Sequence, residues 1–251
     1  MVWSTPPPQA VRYVVCAVKR EKEMSKDSSA IVDTTIQHRR STRAYRHDPV
    51  PNKLVRHILE VASRAPSGCN TQPWRVHVLT GAARQNIVDT VCHAFESEPD
   101  QHVSEYQHTP EEFFEPFLSR RRKMGFKLYE LADIPKGDKE RMRMQQRRNY
   151  TFFDAPVGLL FTVNRDLPIA SFIGFGAFMQ NIMVCAESHG LGTCFQTAWC
   201  DYHRIIAPQL NFAKEDLLIG GMALGYPDKD APINQLRTER VPVSEFAVFH
   251  A

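Results

Sequence analysis

The sequence contains no Cys-x-x-Cys pair, no His-Glu-x-x-His element, and no Gly-x-Gly-x-x-Gly run opening a helix after a strand. Each absence excludes a chemistry. The first argues against a structural zinc site or a redox dithiol, the second against a zinc hydrolase, and the third against a separate Rossmann dinucleotide site. No apolar stretch reaches the roughly 18 residues that a membrane-spanning helix needs. Residues 1–30 have only a short apolar patch around Val11 to Val18, between Pro6-Pro7-Pro8 and a mixed charge run, so they do not read as a secretory signal. They are expected to be a disordered extension, with Met24 as an alternative start. The six cysteines, at 16, 69, 92, 185, 194 and 200, follow no paired spacing and read as reduced thiols in a cytoplasmic protein.

What is present has ordinary globular proportions. Hydrophobic residues make up 43% and charged residues 24% of 251 positions, enough for one large core. The net charge is +3, and residues 111–150 alone carry eleven Lys/Arg against seven Asp/Glu. The remainder is close to neutral, so nucleic acid is not the expected partner.

Two short runs carry the chemistry. Arg39-Arg40-Ser41-Thr42-Arg43 places three arginines and a hydroxyl within five residues, which suits a phosphate because guanidinium grips it bidentately. An ordinary solvated charge run is the alternative reading of the same residues. Pro66-Ser67-Gly68-Cys69-Asn70-Thr71-Gln72-Pro73-Trp74 gathers turn formers and free amides after a helical pattern, where amides can address the edge of a flat heterocycle. Phosphate plus heterocycle reads as a nucleotide cofactor.

Together the two runs resemble the FMN-dependent nitroreductase family, whose members carry Arg-Arg-Ser-x-Arg and then Ala-Pro-Ser-x-x-Asn-x-Gln-Pro-Trp, matched here from Ala65 to Trp74. The likeness continues through Gly190-Leu191-Gly192-Thr193 and the tail Asn234 to Pro242. The run beginning at Arg120, Arg-Arg-Arg-x-x-Gly-x-x-Leu-Tyr, resembles a subgroup related to nitrobenzoate reductases. The resemblance implies an α+β, three-layer fold: a central mixed, mainly antiparallel sheet flanked by helices, in an intertwined homodimer. It also implies an enzyme in which NAD(P)H reduces bound FMN and leaves, after which a nitroaromatic or similar electron-poor small molecule takes the electrons, a ping-pong order. The flavin carries the chemistry, so no side chain is assigned a catalytic role and no metal is expected.

By resemblance, Arg39, Arg40, Ser41 and Arg240 belong to the phosphate and ribityl chain, and Arg43 to the pyrimidine end. Ser67, Gly68 and Asn70, with Pro66, would reach the ring from a neighbouring subunit. Gln196, Thr197 and Arg237 complete the cofactor set. A halotyrosine dehalogenase or an activated-alkene reductase on the same fold is the alternative enzyme, and Glu105, Tyr106 and Lys123 lie in the part of the chain where a zwitterion-binding lid would be. A nucleic-acid-binding module using Arg120 to Lys123 and Arg147-Arg148 is the alternative from another class.

Periodicity predicts a single domain over 31–251 with a helical insertion at about 96–150. A short helix is expected over Ile31 to Arg40, and a second from an Asn52 cap with Leu54, Ile58, Val61, Ala62 and Ala65 inward. A half-buried strand is expected from Trp74 to Thr80, with Trp74, Val76 and Val78 inward. Next should come a helix with a stripe of Ala83, Ile87, Val91, Ala94 and Phe95. In the insertion, Phe113, Phe114, Phe117, Phe126 and Tyr129 are expected to form a core stripe. Ala155 to Val163 reads as a central strand buried on both faces. A helix from Ser171 to His189 is expected to use Phe175, Phe178, Met179, Ile182 and Met183 as core and dimer seam. Strands should follow at Gly192 to Ala198 and Leu217 to Pro227, and the tail from Ala231 is expected to reach across to a partner.

Overall fold

In the computed structural model the described residues are 26–250, and the expectation for residues 1–25 lies outside them. Four strands, β1 (Arg75–Leu79), β2 (Val157–Asn164), β3 (Gly192–Gln196) and β4 (Asp216–Gly225), form one sheet in the order β1-β2-β4-β3. Every neighbouring pair is antiparallel. The expected parallel component is confined, among the described residues, to a single bridge between Ser41 and Thr193.

The sheet is covered on both faces because β2 is apolar at nearly every position. Val157, Leu159, Phe161 and Val163 join one core, with α2 (Asn52–Ala62) and α6 (Ala170–Ser188). Leu160 points into the other, with α3 (Gly81–Ser97), Phe152 and Trp199. Fully burying each such side chain contributes about 1.5–3 kcal/mol, so this strand anchors all three layers.

Helix boundaries differ from expectation in ways that matter for the site. The first helix, α1, runs Lys26–His38, beginning inside the expected extension and ending before the arginines, so Arg39 and Arg40 leave it as non-helical chain. Asn52 is the first residue of α2 and Pro51 occupies the cap, where its fixed φ suits entry into the helix. The inward stripe is Val55, Ile58, Ala62 and then Ala65, while Val61 is 42% exposed. β1 is an edge strand, and Val78 lies 41% exposed while Leu79 is buried. On α3 the stripe broadens to include Val88 and Cys92, and Ala83 in the first turn stays outside it.

Residues 98–150 depart furthest from expectation. α4 (Phe117–Leu131) and α5 (Lys139–Arg147) bury no residue fully. Phe114, Phe117 and Phe126 are 63%, 49% and 62% exposed, so the aromatic stripe lies on the surface of the chain. On α6 the correction has the opposite sign: Phe175, Phe178 and Ile182 are buried within their own chain, and Met179 and Met183 are half-buried. The outward apolar residues of that region are Ile169 and Ile173.

The tail also divides in two. Ile233, Asn234 and Leu236 pack on their own chain, contrary to a tail that leaves at Ala231, whereas Phe246, Val248 and Phe249 are exposed. Asn234 holds the first part in place. Its Oδ1 accepts from the Arg43 N–H at 2.8 Å, and its Nδ2 donates to the carbonyls of Ala44 and Asp228 at 2.8 and 2.7 Å. Asn234 is 5% exposed, so truncation leaves three backbone groups without this partner. Asn234→Ala is expected to lower unfolding stability by about 2–4 kcal/mol, the scale of one or two orphaned buried groups. Urea unfolding checks this; a change under about 0.5 kcal/mol, the level of a neutral surface substitution, would mean that water replaces these bonds freely.

Candidate cofactor site

The arginine run is a strap laid along the sheet edge. The Thr42 N–H donates to the Thr193 carbonyl at 2.9 Å, the Arg46 N–H donates to the Tyr226 carbonyl at 2.9 Å, and Tyr45 pairs with Pro227. Thr42 is buried and sits where a side chain on Gly192 would be; a Cβ there would fall 2.8 Å from the Thr42 Cβ. Only glycine admits this close approach. With Thr42 directed inward, Arg39, Arg40, Ser41 and Arg43 are left half-buried.

None of Arg39, Arg40 and Arg43 forms an ion pair with a carboxylate among the described residues. Other arginines of the chain do: Arg46 with Asp48, Arg75 with Asp216, Arg147 with Glu96 and Arg148 with Asp154. Half-buried guanidiniums without a carboxylate partner have the donor chemistry to bind an anion. Cys194 on β3 lies against this cluster, and burial still pushes its thiol up despite the lowering influence of Arg43 and a hydrogen bond from Ser41. It is a neutral wall residue.

The second run forms a rigid exposed turn. Cys69, Asn70 and Gln72 all adopt positive φ, at 50°, 57° and 46°. Left-handed backbone at non-glycine residues costs about 1–3 kcal/mol each and gathers at ligand sites. The Ser67 Oγ accepts from the Gln72 N–H at 3.0 Å, and Trp74 stacks on Phe178 with ring centroids 4.7 Å apart. Pro66 and Ser67 press on Gly174, where an added Cβ would meet the Pro66 carbonyl at 3.0 Å. Gly68 and Asn70 are left exposed.

The two runs sit at opposite ends of α6. The turn packs on Gly174 near its start, and the strap packs on Gly192, just beyond its end at Ser188. The intervening helix spans about 21 Å at 1.5 Å per residue. Within one chain the two runs are therefore held apart by most of the length of α6.

The remaining expected residues fall in three places. Gln196 is buried; its Nε2 donates to the Asn149 carbonyl at 2.6 Å and its Oε1 accepts from the Trp199 indole at 3.5 Å. Its side chain thus braces the strand end, and Thr197 begins the turn that follows. Asn149, which sequence reasoning missed, lines with Arg43 a cavity of about 520 Å³ against α4 and α5. Arg237 and Arg240 line a different cleft of about 790 Å³ on the other flank of α4. There Arg240 folds back on Thr238, with Nη1 to Oγ1 at 2.8 Å, so within one chain it does not close on the strap. Asn234 was the second omission; its place in the tail motif was the available signal.

The lid trio does not assemble. Glu105 pairs with Arg165, the Tyr106 hydroxyl donates to the Ile219 carbonyl at 2.8 Å, and Lys123 pairs with Glu239 at 2.6 Å. The basic aromatic segment is also largely matched by carboxylates. Arg120 pairs with Glu245, Lys127 with Glu130 and Arg141 with Asp138, in addition to the Arg147 and Arg148 pairs above. A strand-binding groove would need those charges free. Among the described residues no group of three or more His, Cys, Asp or Glu is placed to hold a metal, and no helix is long and apolar enough to cross a membrane.

Comparison with known proteins agrees with this geometry. The model of the family described as "Nitroreductase family" matches residues 36–226. A nitrobenzene nitroreductase from Ectopseudomonas oleovorans is 38% identical over 88% of this chain and 98% of the relative. A 4-nitrobenzoate reductase from a Nocardioides species is 37% identical over 86% and 89%. Among solved structures, an FMN and NADPH-dependent nitroreductase, NfnB, from a "sphigopyxis" strain superposes with a TM-score of 0.85 at 32% identity, covering 88% of this chain and 99% of that one. The matched span, the identity over most of both chains and the superposition agree, and the chain belongs to the nitroreductase family.

Proposed function

We propose that this protein is an FMN-dependent oxidoreductase that uses NAD(P)H to reduce nitroaromatic or similarly electron-poor small molecules. The observation that carries the reading is the cluster of half-buried arginines at 39, 40 and 43 with no carboxylate partner among the described residues. Relatives named as nitrobenzene and 4-nitrobenzoate reductases, and neighbours described as FMN and NADPH-dependent, support it. Bound FMN would supply hydride acceptance and transfer, which is why no nucleophile is required of the protein.

The chain's own residues bind and orient. Arg39, Arg40 and Ser41 would hold the phosphate and ribityl end. Arg43, fixed through its backbone by Asn234, would supply positive charge near the ring, which favours an anionic reduced flavin. Reduction is ping-pong: the nucleotide leaves before the acceptor enters the same cleft.

The active unit is a homodimer. About 21 Å of α6 separates the strap from the Pro66 to Asn70 turn, so each flavin draws its phosphate site from one chain and its ring contacts from the other. Exposed apolar residues support this: Ile31, Val32 and Ile36 on α1, Ile169 and Ile173 at α6, and Phe246, Val248 and Phe249 in the tail.

Purified protein is expected to be yellow and to release about one flavin per chain on heating. A colourless protein that takes up no added FMN would overturn the reading. Arg40→Ala is expected to weaken FMN binding by roughly 1.5–3 kcal/mol, the scale of a hydrogen bond to a charged group, with the fold intact. An unchanged FMN dissociation constant would place that arginine outside the site. Light scattering should give the mass of a dimer, more firmly held with FMN than without it. A flavin-loaded, active monomer at micromolar concentration would refute the shared site.

A further inference from the structure

The four consecutive basic residues of α4 are not equivalent. The outer two are tied to the tail: Arg120 pairs with Glu245 at 3.8 Å and Lys123 with Glu239 at 2.6 Å. The inner two are not. The Arg121 guanidinium lies 4.6 Å from the centre of the Phe113 ring, and Arg122 has no ion pair or hydrogen bond among the described residues. Both line the cavity of about 520 Å³ that Arg43 also lines.

No Asp or Glu lines that cavity, although the cleft on the other flank of α4 carries Glu130, Glu239 and Glu245 beside its own basic residues. Three guanidiniums line one space without a carboxylate, so an anion entering it meets forked donors with no side-chain counter-ion to compete. The rest of the lining decides what bears the anion. Phe126, Tyr129 and Phe153 supply flat apolar walls, and Gln145 and Asn149 supply amides. A planar carboxylate fits the fork of a guanidinium, and an aromatic ring fits between such walls.

We propose that Arg121 and Arg122 form a specificity subsite for a carboxylate carried on the aromatic ring of the electron acceptor. This rests on the flavoenzyme reading above, since it assigns the acceptor's position relative to Arg43. The subsite favours aryl carboxylates over neutral aryl acceptors and leaves the electron transfer itself to the flavin.

Two measurements on the flavin-loaded protein test it. Benzoate, which cannot be reduced, is titrated against the flavin absorption spectrum, with benzyl alcohol as the neutral control, in the wild type and in the Arg121→Ala, Arg122→Ala double variant. Benzoate should bind the wild type more tightly than benzyl alcohol, and the double variant should lose about tenfold or more in benzoate affinity. In steady state, the ratio of kcat/KM for 4-nitrobenzoate to that for nitrobenzene should fall by a similar factor, with Arg122→Lys restoring part of it. Benzoate that binds no better than the alcohol, or equally well in the double variant, overturns the proposal. A fall in the NADPH to NADH preference with the acceptor ratio unchanged also overturns it, and would assign these guanidiniums to a nucleotide phosphate. Loss of FMN from the double variant would assign them to the cofactor phosphate instead. If the wild type binds benzoate through these arginines yet reduces neither nitro compound, the subsite stands and the oxidoreductase reading fails.

Discussion

The placement of the arginine run depends on how closely the strap at residues 39–46 can lie against β3. Thr42 occupies the space above Gly192 that any other residue's Cβ would fill, and its N–H bonds to Thr193. The strap is held by backbone hydrogen bonds and one inward threonine, and while Arg46 pairs with Asp48, Arg39, Arg40 and Arg43 pair with no carboxylate among the described residues. Asn234 completes the arrangement by fixing the Arg43 backbone from the tail. Charge is thereby concentrated where the fold leaves it unneutralised.

A second constraint follows from the length of α6. Its buried face, with Phe175, Phe178 and Ile182, belongs to the chain's own core. Its two ends carry the two sequence motifs, the strained turn at Gly174 and the strap beyond Ser188. The helix between them keeps the two runs apart within one subunit, which is the spacing on which the proposed shared site rests.

Residues 98–150 show how the same composition can serve two ends. Most of the basic side chains there are paired with nearby carboxylates and so contribute little net field, since exposed pairs are worth only about 0–1 kcal/mol. Arg121 and Arg122 are set apart by which side of α4 they face, not by anything in their immediate sequence. The exposed phenylalanines are likewise surface residues of this chain because α4 and α5 lie over the outer edge of the core and have no layer above them.

The strap, the polar turn and the central strand were legible in the sequence because each depends on local chemistry: guanidinium spacing, turn-forming residues, and an unbroken apolar run at Val157 to Val163. The antiparallel α+β class followed from the resemblance those motifs carry. Tertiary structure decided the rest. Periodicity marked Phe114, Phe117 and Phe126 as a stripe, but an apolar stripe does not state whether another layer covers it, and none among the described residues does. It marked Phe175, Phe178 and Ile182 as apolar on α6, but their burial depends on β2 and α2 lying opposite. Asn149 and Asn234 were missed because an asparagine in a loop is unremarkable until distant chain brings Gln196 or Arg43 within hydrogen-bonding reach. The sequence by itself determined which groups can grip an anion and which segments must be core. Only the tertiary structure decided which of those groups share a space, because that depends on contacts between residues far apart in the chain, from 47 positions for Asn149 and Gln196 to 191 for Arg43 and Asn234.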